Sequence, residues 1–169
     1  MKVETQTNIE ANRPNKMSRF TNKYTSNHVQ IHIAHGQTMH LHGGFSGNID
    51  ALHSIHWNCH EDRVWYFTCQ SAPTWGATCS DFTWANAYDK RVDFTCPNGG
   101  YIAGIKSTYN AHYKDRRYAF KCCRTPGMPL NDCKGWGGYV NDFDQEIHYS
   151  VASGYYLTGL YSWHNDRYE

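Results

Sequence analysis

The chain has 169 residues, with 16 Lys and Arg against 15 Asp and Glu, a formal charge of +1 and charged residues at only 18%. That length fits one domain with a real core, and the near-neutral balance argues against a general nucleic-acid or membrane-surface binder. Aromatics reach 15%, with 13 Tyr and 6 Trp, and mean hydropathy is −0.75, a tyrosine-rich, β-leaning composition.

In chain order, residues 1–19 read as a flexible N-terminal arm with no apolar run of the signal-peptide kind, and no stretch anywhere approaches the ~18 apolar residues of a membrane span. From residue 20 the chain repeats itself, over about 20–80, 81–135 and 136–169, all within one domain. Copy one closes on SIHWNCHEDRVWYFTC (54–69) and copy two on STYNAHYKDRRYAFKC (107–122), so adding 53 carries Asp62, Arg63, Trp65, Phe67 and Cys69 onto Asp115, Arg116, Tyr118, Phe120 and Cys122. The front halves match at 64, taking Phe20, Asn22, Tyr24 and His32 onto Trp84, Asn86, Tyr88 and Cys96; 64 minus 53 implies an 11-residue insertion near 37–47 of copy one. Copy three follows copy two at a single offset of 55, and the same offset places its Asp-Arg signature at 170 and 171, beyond Glu169. The expectation is a third signature that is missing rather than mutated; the alternative reads Asp166-Arg167 as that signature pulled forward by four residues, though neither an aromatic with its spacing nor a cysteine follows it.

Alternation puts Arg63, Trp65, Phe67 and Cys69 on one face and Val64, Tyr66 and Thr68 on the other, which is strand periodicity. Residues 91–96, 101–107 and 116–122 read as the strands of one unit, with a weaker fourth at 82–88, and no window shows a helical stripe. The fold class is all-β: one domain of three β-repeats with pseudo-threefold symmetry, either a β-prism of three sheets or a β-trefoil.

Seven cysteines without zinc-ribbon spacing look like a disulfide framework, hence a secreted, extracellular protein. Repeat alignment pairs Cys96 with Cys122 inside copy two. It leaves Cys69 to find Cys59 or Cys79, and it leaves Cys123 and Cys133 to close a short loop. A third signature would supply the eighth cysteine.

The set Trp84-x-Asn86-x-Tyr88, Phe94-x-Cys96-Pro97, Ile102-x-Gly104-Ile105-x-Ser107 and Asp115-Arg116-x-Tyr118-x-Phe120-x-Cys122-Cys123, with Asp-Arg-x-Trp-x-Phe-x-Cys recurring at 62–69, resembles the dermatopontin family. The resemblance covers nearly the whole chain from Phe20. It implies an extracellular protein binding glycans, sulfated glycosaminoglycans, or matrix and cell-surface glycoproteins; invertebrate members include haemagglutinins, cytotoxins and shell-matrix proteins. It implies no enzymatic activity and brings no cofactor.

Candidate sites fall into five groups. Asp62, Arg63 and Trp65, with Asp115 and Arg116, offer guanidinium forks for sulfate or carboxylate, against the blander reading that each Arg packs over an aromatic ring while its Asp neutralises it. Basic side chains, Arg13, Lys16, Arg19 and Lys23 in the arm and Lys114, Arg117, Lys121 and Arg124 around the copy-two signature, would recruit anionic glycans by charge, or simply be a solvated face. Tyr109, Tyr113, Trp163 and His164 lie after the repeated serines, in loops suited to a lectin site. His40 and His42 alternate onto one face, where a zinc or copper site would need a third ligand that spacing does not fix, so no metal is assigned. Cys59 beside His56 or His60 has the residue types of a thiol nucleophile without the geometry that would identify one.

The sequence therefore points to a lectin or adhesive matrix component, multivalent through three similar units. The alternative is a structural assembly protein whose tyrosine-rich faces bind other proteins or copies of itself.

Overall fold

Period-two alternation of aromatic and β-branched residues drives this chain into strands. The computed structural model describes residues 4–14, 29–33, 39–42, 47–57, 59, 62–71, 76–128, 130–134 and 139–165. Among them run β1 (Glu4–Pro14), β2 (Val29–Ile33), β3 (Met39–His42), β4 (Gly47–Trp57), β5 (Asp62–Ser71), β6 (Thr78–Cys79), β7 (Thr83–Trp84), β8 (Val92–Thr95), β9 (Tyr101–Asn110), β10 (Asp115–Arg124), β11 (Leu130–Lys134), β12 (Ile147–Ser150) and β13 (Tyr156–Asn165), with a 3-10 turn at Pro97–Gly99. Among the described residues no helix is long and apolar enough to cross a membrane.

Three antiparallel sheets result, ordered β12-β4-β5-β2, β3-β9-β10-β6 with β7 also on β10, and β11-β1-β13-β8. Each is built on one long pair: β4 with β5, β9 with β10, β13 with β1. Their registers superimpose. Ser54 faces Trp65, Ser107 faces Tyr118 and Ser162 faces Thr7, and a bulge falls at the same step in all three, between Ile49 and Ala51, Lys121 and Cys122, and Glu10 and Ala11. A short outer strand from another copy completes each sheet: Ile147 of β12 opposite Ser54, Met39 of β3 opposite Ser107, Val92 of β8 opposite Ser162. Pseudo-threefold symmetry is thus written into the hydrogen bonding.

Two sequence expectations change here. Met39, Val92 and Ile147 hold equivalent places, separated by 53 and then 55 residues. Copy one therefore keeps the 53 offset through its outer strand, and the 11-residue insertion is not there. Nor is His32 the counterpart of Cys96: it lies opposite Tyr66, as Trp84 lies opposite Ala119. The match of Phe20, Asn22 and Tyr24 falls outside the described residues.

The second change concerns the arm and the third signature. Within 1–19, residues 4–14 form β1, and Glu4 opposite Asn165 repeats the pairing of Asp115 with Asn110 and of Asp62 with Trp57. The N-terminal strand occupies the slot of the third Asp-Arg signature. Without it β13 would present an open row of N–H and C=O groups on that side.

The inner faces of the three sheets meet in one core, with Ile49, Leu52, Trp65 and Phe67 from one, Ile102, Ile105 and Phe120 from the next, and Leu157 and Leu160 from the third. This is an all-β fold of three small sheets, as a prism requires. Rings lock sheet to sheet: Trp65, stacked on Phe67 of its own strand at 5.7 Å, meets Tyr118 of the next sheet edge-on at 6.0 Å, and Phe94 stacks on Phe120 across two sheets at 4.6 Å. The weak strand expected over 82–88 shortens to Thr83–Trp84 because Asn86 replaces ladder bonds with side-chain ones, its Oδ1 accepting from Tyr118 N at 2.7 Å and its Nδ2 donating to Arg116 O at 3.2 Å.

Cys96 is bonded to Cys122 as the repeats indicated, and Cys79 to Cys123. The second bond overturns the Cys123–Cys133 loop and removes Cys79 as a partner for Cys69. Strand alternation sends the adjacent cysteines Cys122 and Cys123 to opposite sides, and Cys79 lies directly across from Cys123. Cys69 is a buried free thiol and Cys59 an exposed one, so the Cys59 pairing is also absent. The side chain of Cys133 lies outside the described set.

Candidate functional site

The Asp-Arg signatures face inward. Asp62, Arg63, Trp65, Asp115 and Arg116 are all buried. Arg116 forks onto Asp62 of the neighbouring sheet, Nε to Oδ1 at 2.5 Å and Nη2 to Oδ2 at 2.8 Å. Burial alone would lower the Arg116 pKa, but the Asp62 bonds and charge raise it. Arg63 donates to the Gln145 carbonyl at 3.0 Å, and there burial outweighs its anionic neighbours, so its pKa is lowered. Each carboxylate also caps its own turn, Asp62 Oδ1 accepting from Arg63 N and Asp115 Oδ1 from Arg116 N. These residues hold sheet to sheet.

What the copy-two signature holds up is an exposed strip on the other face of the same sheet. Asp115 Oδ2 accepts from Asp89 N at 2.8 Å, fixing the loop after Tyr88, where Asp89 sits at φ 57°. On that face Arg117 Cζ lies 4.0 Å over the Trp84 ring and 5.6 Å from Tyr88. Lys106 Nζ lies 5.4 Å over Trp84 from its other neighbouring strand. Tyr88 stacks on Tyr113 at 5.0 Å and 8°, and His112 meets Tyr113 edge-on. Thr108 Oγ1 ties the strip together, accepting from Arg117 Nε and meeting Tyr88 Oη, both at 3.2 Å. Trp84 is 39% and Tyr113 41% exposed. Ala119, fully buried between Lys106 and Trp84 in the register row, leaves room for both to lie flat.

Stacked on an indole, a guanidinium is pre-organised, and with Nε engaged by Thr108 its two Nη groups remain to meet an anion. Exposed ring faces beside it offer an apolar platform carrying negative quadrupole charge. The strip can therefore take a flat ligand with C–H groups on one side and an acid group at its edge.

Of the loop candidates, Tyr113 joins this strip, whereas Tyr109 is half-buried beneath it with Arg116 over its ring at 5.7 Å. Trp163 is exposed on the third sheet, and the side chain of His164 is outside the described set. Arg124 lines a separate cavity of about 570 Å³ with Cys79, Pro97 and Cys123, which offers no aromatic platform. Lys114 closes the β9–β10 turn at φ 49°. Lys16, Arg19 and Lys23 lie outside the described residues, as do the side chains of Arg13, His40 and His42. His56 is buried with Nδ1 3.1 Å from Asp144 Oδ1. The only metal-ligating group of three among the described residues is His53, Glu146 and His148.

Sequence reading passed over Trp84, Tyr88, Lys106 and Thr108. A signal existed: Trp84 and Tyr88 are four apart in the segment read as a strand over 82–88, where alternation would give them one face, although Tyr88 lies in the turn after β7. Their meeting with Arg117 depends on strand order.

The family model for dermatopontin matches residues 34–169. The chain is 37% identical over 124 residues to the hemagglutinin/amebocyte aggregation factor of Limulus polyphemus, covering 72% of this chain and 71% of that protein. It is 34% identical over 124 residues to Millepora cytotoxin-1 of Millepora dichotoma, covering 72% of this chain and 54% of that one. To dermatopontin of Biomphalaria glabrata it is 29% identical over 109 residues, 64% of this chain and 72% of that one. No solved structure matches.

Proposed function

Since the chain belongs to the dermatopontin family, we propose that it is an extracellular, non-catalytic adhesion protein that binds acidic glycans through the strip of Trp84, Arg117, Tyr88 and Tyr113. The observation that carries this is the Arg117 guanidinium held 4.0 Å over an exposed indole with Lys106 beside it. A sugar ring stacks its C–H face on Tyr113 while its sulfate or carboxylate meets Arg117, held over Trp84, and Lys106. The relative named for haemagglutination and amebocyte aggregation supports an adhesive role. Trp84 and Arg117 are replaced by His32 and Val64 in the copy-one sheet and Arg117 by Gln6 in the third, so multivalence comes from copies of the chain rather than three like surfaces.

A glycan array read at rising salt tests this. Expected is binding to sulfated or uronic-acid chains that weakens with salt, and that falls at least about tenfold in Trp84→Ala and Arg117→Ala, the 1.4 kcal/mol of one good contact. Salt-insensitive binding to a neutral sugar would place recognition on the rings alone. Silence across the array would favour the assembly reading.

A further inference from the structure

In the copy-one sheet the register row equivalent to Lys106–Ala119–Trp84 reads His148, His53, Tyr66, His32, across β12, β4, β5 and β2. We propose that His53, Glu146 and His148 form a binding site for a divalent transition-metal ion, with open coordination positions facing solvent.

Strand geometry brings the three together. His148 lies directly opposite His53, and Glu146, two residues before His148, shares its face of the extended chain. Their ligand atoms all lie within 4.8 Å of one another. Glu146 Oε2 is 2.8 Å from His148 Nε2 and 3.9 Å from His53 Nε2. His53 is sandwiched between Tyr66, stacked at 5.1 Å, and His148, stacked at 4.0 Å with 24° between rings, so its orientation is set before any ion arrives.

One atom in this group is out of place in a metal-free protein. His53 Nε2 is shielded from solvent yet makes no hydrogen bond, the carboxylate at 3.9 Å being too distant for one. Such an orphan is costly unless something else satisfies it. Beside it is an open cavity of about 190 Å³ lined by His53, Tyr66, His148 and Tyr149.

The adjustment needed is small. Two ligands on a tetrahedral ion at about 2.1 Å stand roughly 3.4 Å apart. Glu146 and His148 must open by about 0.6 Å and Glu146 and His53 close by about 0.5 Å, movements that the exposed Glu146 and His148 side chains can supply around the fixed His53 ring. Two imidazoles and one carboxylate suit zinc or copper rather than calcium or magnesium.

Titration calorimetry of the chelator-stripped full chain with zinc chloride tests the site. One zinc per chain is expected, with affinity reduced at least about tenfold in Glu146→Gln and more in His53→Ala and His148→Ala, while His40→Ala with His42→Ala leaves it unchanged. Cobalt loading of the unmutated protein should give visible d–d bands without a thiolate charge-transfer band. No binding at about 1 mM zinc, undiminished binding in His53→Ala and His148→Ala, or a thiolate band would each overturn the proposal. Glycan binding measured in chelator is expected to persist, so the two readings fail separately.

Discussion

The copy-one and copy-two sheets share a signature, a register and a bulge, and differ on both faces. Inside, Arg116 grips Asp62 in a two-point ion pair, whereas the equivalent Arg63 reaches for a backbone carbonyl and is disfavoured as a cation by burial. Cys122 is in a disulfide; its equivalent Cys69 is a thiol. Outside, one row carries Lys106 and Trp84 and the other His53 and His148. The backbone ladder fixes the fold, so each copy can change the side chains of the outer rows at little cost to stability. Interior positions can diverge only where the neighbouring copy supplies a substitute partner.

The largest contrast is between the two arginines. Arg116→Ala removes the two-point ion pair with buried Asp62 and should cost about 3–5 kcal/mol in urea unfolding, while Arg63→Met, which keeps the stem and gives up the hydrogen bond to the Gln145 carbonyl, should cost about 1 kcal/mol. Equal costs would mean that Arg63 is held by charge after all. Next comes the cysteine pair. Replacing Cys96 and Cys122 together by Ala opens a loop with a sequence separation of 26 and should cost about 2–4 kcal/mol. Cys69→Ala should cost about 1 kcal/mol.

The smallest effect is in pH. Burial pushes the Cys69 thiol from 9.0 up to about 11. Between those values the unfolded thiol has lost its proton and the folded one has kept it, so the native state binds more protons and stability falls as pH rises. Unfolding at pH 8 and 10.5 should show a smaller drop for Cys69→Ala than for the unmutated chain. For the same reason iodoacetamide should label Cys59 well before Cys69.

The three-unit all-β plan and the inward Arg63-Trp65-Phe67-Cys69 face were legible, because a period of two shows in side chains. The outer strands were not. Matching residue types drew His32 onto Cys96, while hydrogen bonds place it with Trp84. β1 was invisible for a stronger reason: Thr5 and Thr7 stand where Arg116 and Tyr118 stand in copy two, so the third slot is filled by backbone pairing without the signature. Of the contact strip, Arg117 and Tyr113 could be named from the chain, but Trp84 and Lys106 reach them only from the strands on either side of β10.

Glu4 lies opposite Asn165 at one end of the β1–β13 ladder and Asn12 opposite Tyr156 at the other. A pull between residues 4 and 165 therefore meets the rungs one at a time, as a zipper does, and β11 loses its partner when β1 leaves. A pull transmitted through the copy-two sheet would load β9 and β10 instead, and β10 is tied by Cys122 to Cys96 and by Cys123 to Cys79. Under tension the molecule has a weak seam and a strong face, and the proposed glycan contact is on the strong one.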